Sequence, residues 1–103
     1  MHAPQANLSS EARVPTKVPA RYLGQLCKHF QHKLPVTFEG GHGRIAFSAG
    51  LCEPQAIEDA DTLVMSVTAS DEASLKSLED VVARHLERFA FRDETKVSWT
   101  RTA

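Results

Sequence analysis

Four basic or titratable side chains on two predicted helices are the residues of this sequence most suited to holding a ligand. His29 and Lys33 are four residues apart in one stretch, and His85 and Arg88 are three apart in another. Helical spacing of three or four places the members of each pair on one side of a helix. Arginine offers a planar fork of donors to a carboxylate or phosphate, lysine adds a point charge, and histidine becomes charged near pH 6.5. Together the four would form a site for a small anion.

Whether the two pairs meet depends on how the helices pack. At about 100° per residue, both pairs lie on the same-handed flank of an apolar face. If the helices run antiparallel on a sheet, these flanks either meet at the seam between the helices or both face outward. In the outward arrangement Arg88 pairs with surface carboxylates such as Glu87 and Glu94, and His85 is a boundary residue. The sequence leaves both arrangements open, and we take convergence at the seam as a hypothesis.

The cysteines and further histidines raise the question of a metal site. Cys27, His29 and His32 lie within one predicted helix, and His42 and Cys52 follow in sequence. Thiolate and imidazole groups are ligands of zinc and iron. Helical phase argues against a shared site, because Cys27 points about 160° away from His29 and lies on the apolar face. No pair has the spacing of a recognised ligand motif, so we expect free thiols, no bound metal and no cofactor.

The sequence offers no complete set of catalytic groups. A cysteine nucleophile needs a histidine partner and an accessible, electropositive setting, whereas Cys27 is on an apolar face and Cys52 adjoins an acidic residue. The glycine-rich residues 40–43 lack the Lys-Ser/Thr of a phosphate-binding loop and do not open a helix. The sequence therefore favours a non-catalytic binding or accessory module. The alternatives are a small enzyme that uses His29 or His85 on an anionic metabolite, or a metal-binding accessory protein.

Two stretches, which carry the four candidate residues, have the periodicity of amphipathic helices. The first begins near Pro19, a favourable first-turn residue, and ends before Pro35. Its apolar face consists of Tyr22, Leu23, Leu26, Cys27 and Phe30. The second begins after an N-cap at Ser70 or Asp71. Its apolar stripe consists of Leu75, Leu78, Val82, Leu86 and Phe89.

Alternation of apolar and polar residues predicts the strands. They cover residues 11–16, 36–39, 44–47, 51–57, 62–69 and 96–101. A glycine-rich turn at residues 40–43 makes a hairpin, and Pro54 predicts that its strand lies at an edge. The order β-α-β-β-β-β-α-β predicts an α+β two-layer sandwich, a mostly antiparallel sheet with both helices packed on one face. We expect residues 1–9 to be a disordered tail and residues 10–103 to be a single domain.

Charge and composition argue against a nucleic-acid partner. Of 103 residues, 42% are hydrophobic and 24% charged, which is ordinary for a globular domain, and the net charge is −1. Residues 1–50 carry six basic against two acidic side chains (+4), and residues 51–103 carry six against eleven (−5). The outward sheet positions mix both signs and lack the aromatic side chains on which bases stack.

The remaining partner classes follow from hydropathy and cysteine use. No apolar run has the length of a membrane span or a signal peptide, so we expect no membrane association. Two cysteines without a secretory signal are typical of a reducing, cytoplasmic location. Besides a small anionic ligand, a protein partner or a second copy of the chain could use the sheet face. That face includes Ala46, Val64, Ser66 and Thr68.

Three strings of the sequence are similar to one bacterial family. They are Tyr-Leu-Gly-Gln-Leu-Cys-Lys-His-Phe-Gln-His-Lys at residues 22–33, Gly-Arg-Ile-Ala-Phe at 43–47 and His-Leu-Glu-Arg-Phe-Ala at 85–90, with Cys52 between them. On these strings the chain resembles the bacterial family known as domain of unknown function 2218, from about residue 12 to residue 101. The family has no assigned activity, and some members are joined to siderophore-interacting flavin reductase domains. For the alternative functions, the resemblance implies a link to iron or siderophore metabolism.

Overall fold

The computed structural model describes residues 7–90 and 96–102 of the chain. Six β-strands and two α-helices lie in this part, and neither helix is long and apolar enough to cross a membrane. The strands are β1 (Leu8–Pro15), β2 (Val36–Glu39), β3 (His42–Ala46), β4 (Leu51–Ile57), β5 (Thr62–Ala69) and β6 (Thr100–Arg101). The helices are α1 (Pro19–Phe30) and α2 (Glu72–Phe89), and a 3₁₀ turn covers Glu58–Ala60.

All neighbouring strands are antiparallel, in the sheet order β2-β3-β4-β5-β1-β6. Strands β2 to β5 form a meander, whereas β1 is inserted between β5 and β6. Both helices pack on one face, α1 mainly against β3 and β4 and α2 against β5 and β1. Beneath them lie the buried alternate residues of β5, namely Leu63, Met65, Val67 and Ala69. The predicted α+β fold with an antiparallel sheet is confirmed.

The helices form where periodicity places apolar side chains on one face. Pro19 occupies the first turn of α1, where its missing N–H forfeits no helical hydrogen bond. Asp71 caps α2, because its Oδ1 accepts a hydrogen bond from the Ser74 N–H at 2.8 Å. The whole predicted face of α1 and most of the α2 stripe are buried. Burial of each leucine on these faces contributes roughly 1.5–3 kcal/mol, which holds both helices on the sheet.

Two polar contacts join the sheet to α2 at one edge. Ser10 on β1 is 1% exposed, and its hydroxyl donates a hydrogen bond to Glu79 Oε2 at 2.6 Å. Arg101 on β6 donates to both carboxylate oxygens of Glu72, at 3.1 and 2.6 Å. Ser10 and Arg101 are opposite each other in the β1–β6 register. The contacts therefore fix these two strands and α2 as one unit.

The predicted start of the first strand is wrong. β1 begins at Leu8, so residues 8–9, which we expected in a disordered tail, pair with β5. Leu8 lies opposite Ala69 and packs against the core, because it continues the inward alternation of the strand. We expected the tail from the polar composition of residues 1–9, and composition does not indicate that a single leucine, Leu8, faces the core. Residues 1–6 lie outside the described residues.

The predicted edge position of β4 is also wrong, because β4 lies between β3 and β5. Proline lacks an N–H and normally interrupts a central ladder. The β3–β4 ladder pairs His42 with Gln55 and then Ile45 with Cys52, and it skips the positions between them. Pro54 is one of those positions and packs against a buried glycine of β3. The ladder therefore keeps its register across Pro54 and loses only the pairings at and beside the missing donor.

The last strand is shorter than predicted, because only Thr100–Arg101 form β6. The Val97 N–H donates to Glu87 Oε2 of α2 at 3.0 Å, so a helix side chain takes the donor that a ladder would use. Val97 and Trp99 are nevertheless half-buried against the core. The segment leading to β6 is therefore anchored by α2 rather than by the sheet.

Candidate anion-binding site

The flanks of α1 and α2 that carry the histidines meet at the seam between the two helices. The imidazole rings of His29 and His85 have their centroids 4.6 Å apart, with their planes inclined by 44°. The seam arrangement is thus the one that the fold adopts for these two side chains. Two titratable groups from distant parts of the sequence form one pair.

Phenylalanine rings make a wall beside the histidine pair. Phe30 is 8% exposed, and its ring centroid lies 5.0 Å from that of His29 and 5.0 Å from that of His85. Phe89 lies 5.8 Å from His29, and Phe47 backs Phe30 at 5.0 Å. These apolar rings displace water from one side of the imidazoles. Charges near the pair are therefore less screened than charges surrounded by water.

A backbone contact fixes the orientation of His85. Its Nδ1 lies 2.7 Å from the carbonyl oxygen of Val81, one helical turn earlier. Because a carbonyl only accepts, Nδ1 must carry the hydrogen and donate it. The other ring nitrogen, Nε2, is then an acceptor in neutral His85 and a donor once the ring is protonated. Protonation thus turns Nε2 of a held imidazole into a hydrogen-bond donor for an anion.

A cavity of about 300 Å³ opens beside this ring and is lined by Arg84, His85 and Arg88. Arg84 is held by Asp80, with Nε 3.1 Å from Oδ2 in an exposed pair. Arg88 makes no ion pair with any carboxylate of residues 7–90 and 96–102. Its neighbour Glu87 instead accepts a hydrogen bond from a backbone N–H. Arg88 is therefore the guanidinium of this cavity that has no carboxylate partner among the described residues, and Glu94, its partner in the outward arrangement, lies outside them.

Lys33 is not on α1, contrary to prediction. The helix ends at Phe30, and the N–H groups of Lys33 and Leu34 donate to the Phe30 carbonyl at 3.1 and 2.9 Å in a turn. The early end follows from Pro35, which disfavours helical backbone in the residue before it. Lys33 is exposed and is not among the described residues that line the cavity. It contributes charge to the seam, since it is one of the groups that lower the pKa of His29.

The electrostatic setting of His29 is positive. Burial lowers the pKa of this imidazole below 6.5, and the charges of His85, Arg88, His32 and Lys33 lower it further. All four of these charged neighbours are basic, and no carboxylate offsets them among the causes of the shift. Nearby positive charges disfavour protonation of the His29 ring. Among the described residues, basic side chains therefore dominate the electrostatic setting of His29 at the seam.

The cysteines lie in a different environment, under the apolar face of α1. Both are free thiols and both are buried. Burial raises the pKa of Cys27, and burial followed by the nearby Cys27 and Glu53 raises that of Cys52. A thiol that stays protonated is a poor nucleophile and a poor metal ligand. These residues therefore serve in packing.

The two other described histidines, His32 and His42, do not form a metal-binding cluster. His42, which we predicted within the turn at residues 40–43, begins β3; it is exposed, and its Nε2 lies 3.9 Å from Glu53 Oε2. His32 is exposed in the turn after α1. Throughout the part of the chain that the structure describes, no three His, Cys, Asp or Glu side chains lie close enough to hold a metal ion.

Sequence reasoning missed two components of the site. Arg84 lines the cavity but was not among the residues that the sequence pointed to. Its spacing of four residues from Arg88 was the available signal, because residues four apart share a helix side. The aromatic wall was also missed. It brings Phe47 of the loop after β3 to Phe30, a long-range contact that no local pattern encodes.

Comparison with known proteins places the chain in a family. Residues 11–100 match the sequence model of the family described as Uncharacterized protein conserved in bacteria (DUF2218). The chain belongs to this family. The match spans both helices that build the seam, and it confirms the resemblance drawn from the histidine-bearing strings. The DUF2218 description assigns no activity.

A solved structure has the same fold. The NMR structure of PA4090 from Pseudomonas aeruginosa is similar to this DUF2218 chain, with 35% sequence identity and a TM-score of 0.75. The alignment covers 90% of this chain and 95% of that one. Among curated proteins, none matches the chain. The function of this family member therefore has to be argued from the site.

Proposed function

We propose that this chain is a non-catalytic binding module that holds a small anion at the seam between α1 and α2. The ligand-binding residues are His29, Lys33, His85 and Arg88. One observation carries the proposal: two imidazole rings 4.6 Å apart lie among basic side chains that lower the pKa of His29. A bound anion supplies the counter-charge that this cluster lacks.

The four side chains contribute in different ways. Arg88 offers a planar fork of donors, which suits the paired oxygens of carboxylate or phosphate. His85 is held by Val81 and presents Nε2, which donates to the anion when the ring is protonated. Lys33 and His29 add positive charge from the other side of the seam. The cavity of about 300 Å³ has the size of a small ligand such as phosphate, sulfate or citrate.

Anion binding is linked to proton uptake at His29. Its pKa is lowered in the free protein, so the ring is mostly neutral at pH 6.5 and above. An anion favours the protonated ring and therefore raises this pKa. By linkage, the affinity for the anion rises as pH falls through the raised pKa that His29 has in the complex, and it levels off below the lowered pKa of the free protein.

NMR titration of the imidazole resonances tests the proposal directly. Phosphate, sulfate and citrate are added at constant ionic strength, against chloride, between pH 5.5 and pH 7.5. We expect saturable shifts at His29 and His85 that strengthen at the acidic end. Absence of a saturable shift at both histidines for all three anions would overturn the site.

Matched variants separate a site from general ion effects, because sulfate and phosphate also stabilise proteins without binding a specific site. Arg88→Gln should weaken binding roughly tenfold, the loss expected for a charge-assisted hydrogen bond. Arg13→Gln, which removes an exposed arginine that pairs with Glu11 on the sheet, should not change it. His42→Gln serves as the histidine control on the hairpin. Equal effects of the site and control variants would contradict the proposal.

The fixed tautomer of His85 favours one second candidate, a small enzyme that uses this imidazole on an anionic substrate. Neutral His85 presents Nε2 as an acceptor, which is the state a general base requires. A substrate screen with His85→Ala and His29→Ala controls distinguishes the two candidates. Turnover that disappears in either variant would replace the binding module with an enzyme.

The wider setting of the module is also a proposal. We place it in the cytoplasm, because both cysteines are free thiols and a reducing compartment keeps them so. A role in iron or siderophore metabolism predicts that the site prefers a ferric complex to the free anion. Titration with citrate in the presence and absence of ferric iron tests that role, since a ferric complex should then bind more tightly than citrate alone.

A further inference from the structure

A second concave surface lies on the opposite flank of α1 from the histidine seam. It is a groove of about 400 Å³ between α1 and the edge strand β2, lined mainly by apolar atoms. Phe38 of β2 forms one wall and is 54% exposed, and Cys27 forms part of the floor. The volume is within the usual range of small-molecule sites, roughly 300–1,000 Å³.

The glycine at the centre of this groove has no packing reason to be a glycine. Gly24 lies in the middle of α1, and a Cβ placed on it would have no neighbour within 4 Å. Glycine in a helix interior is less favourable than alanine because it loses more backbone freedom on folding. The missing side chain keeps the groove open between Arg21 and Lys28, which lie one turn before and after it on the same stripe.

The charges at the groove are of one sign. Arg21 and Lys28 both line it, and neither forms an ion pair with a carboxylate within the described residues. No acidic residue is among those that line it in this part of the chain. An apolar trough bordered by two cations complements a molecule with an apolar body and an anionic end.

We infer that this groove binds amphipathic carboxylates, that is, molecules with an aryl or short alkyl body of about ten non-hydrogen atoms and one acid group. The body lies over Gly24 and against the ring of Phe38, where an aromatic ligand stacks in an offset or edge geometry. The carboxylate pairs with the fork of Arg21 or with the ammonium group of Lys28. This site shares no residue with the seam and takes a different ligand class.

A small molecule suits this groove better than an added strand from a partner protein. Strand addition relies on a run of main-chain hydrogen bonds along a free edge. β2 offers only the four residues Val36–Glu39, and a short edge strand limits such pairing. The two cations also lie on α1 rather than along the edge, so they meet a ligand within the groove.

An NMR titration with one matched series of probes tests the inference. Phenylbutyrate has the aryl body and the acid, phenylbutanol lacks the charge, phenylbutylamine reverses it, and acetate lacks the body. We expect phenylbutyrate to shift the backbone amides of Arg21, Gly24, Lys28 and Phe38 saturably, with a dissociation constant of about 1 mM or below. Phenylbutanol should bind more weakly, and the amine and acetate should give no saturable shift there.

Substitutions at Gly24 separate binding from stability. Gly24→Ala should raise the melting temperature by about 4 °C, because alanine favours the helix, while it weakens phenylbutyrate binding. Gly24→Leu fills the groove and should abolish binding in a folded protein. A Gly24→Leu variant that binds phenylbutyrate like the wild type would overturn the inference.

The charged residues give a second, independent readout. The double substitution Arg21→Gln with Lys28→Gln should weaken phenylbutyrate binding roughly tenfold and leave phenylbutanol binding unchanged. The control pair Arg13→Gln with Lys76→Gln removes the same charge from β1 and α2, away from both sites, and should change neither. Equal losses in both pairs would show a general charge effect and no site.

The outcomes also separate this groove from the anion site. Phosphate should not displace phenylbutyrate, and Arg88→Gln should leave phenylbutyrate binding intact. If phenylbutyrate shifts only the His29 and His85 resonances, the groove inference is wrong while the seam proposal stands. If phenylbutyrate gives no saturable shift up to about 10 mM, the groove inference is wrong regardless of the seam.

Discussion

Cys27 and His29 are two residues apart on α1, yet they lie in opposite settings. Cys27 is 2% exposed beneath the helix, and burial raises the pKa of its thiol. His29 is exposed at the seam, beside another imidazole and among basic side chains that lower its pKa. Two residues whose types are both associated with chemistry thus differ in what the fold lets them do.

The difference shows that the reactivity of a side chain depends on the charges around it as much as on its residue type. Burial raises the pKa of the Cys27 thiol, and no basic side chain of the described residues acts in the opposite direction. Basic side chains lie around the His29 imidazole, and this is where we propose that an anion binds. The core side of α1 therefore serves packing, and the seam side carries the proposed binding site. Four measurements test this contrast.

The largest expected effect is on thiol reactivity. Cys27 and Cys52 are both buried, so a thiol reagent must wait until the protein opens. At ordinary domain stability we expect native protein to react roughly a thousandfold more slowly than protein in denaturant. Absorbance with a disulfide reagent measures both rates. Comparable rates in the native and denatured states would show that the thiols are accessible and would remove the contrast.

The next effect concerns packing around Cys27. A Cβ at Gly43 would lie 2.6 Å from Cys27 Sγ and 3.2 Å from Leu23 Cδ1. Gly43→Ala should therefore lower the free energy of unfolding by about 1–3 kcal/mol, measured by urea denaturation. The double variant with Cys27→Ala should lose less than the sum of the single variants, because the clashing sulfur is gone. Simple additivity would place the strain elsewhere.

A smaller effect is expected on the pH dependence of stability. His29 has its pKa below 6.5 in the folded protein and near 6.5 when unfolded. Its contribution is fully present above pH 6.5 and is lost as pH falls through the folded pKa. Because the ring is exposed, we expect a loss below about 1 kcal/mol in dilute chloride between pH 7.5 and pH 5.5. His29→Gln should reduce the slope, and an unchanged slope would contradict the assignment.

The smallest effect compares two arginines one turn apart on α2. Arg88 lowers the pKa of His29, whereas Arg84 pairs with Asp80 and is not among the causes of that shift. Arg88→Gln should raise the pKa of His29 in an NMR pH titration, and Arg84→Gln should leave it in place. Arg84→Gln should reduce stability by only about 0.3–0.5 kcal/mol, as for an exposed helical ion pair. A reversed order would mean that Arg84, and not Arg88, is the arginine whose charge acts on His29.

Local patterns were sufficient for the elements and for which face of each is buried. The apolar positions of α1 recur with the helical period, and the strand residues Leu63, Met65 and Val67 alternate. These patterns report how one segment meets the core. They also identified the capping region of α2, where Asp71 proved to be the N-cap.

The features that local sequence patterns did not predict depend on contacts between residues far apart along the chain. Pro54 predicts an edge strand because proline has no N–H to donate to a neighbouring strand. Strand β4 is nevertheless central, and the β3–β4 ladder has a gap at Pro54. Val97 fits a strand, but Glu87 of α2 takes its N–H. Convergence of His29 and His85 was one of two arrangements, and only helix packing distinguishes them. Each case depends on a partner far away along the chain.

The insertion of β1 between β5 and β6 has a consequence for how the chain reaches this structure. The meander β2 to β5 joins sequential neighbours, so these strands and α1 can assemble from nearby residues. Strand β1 must wait for residues 62–69 and then for residues 100–101, its partners on either side. Such distant pairing slows folding, because a long loop must close before its contacts form. Until β1 docks, β5 presents an open edge to other chains, so the slow step is also the one most exposed to aggregation.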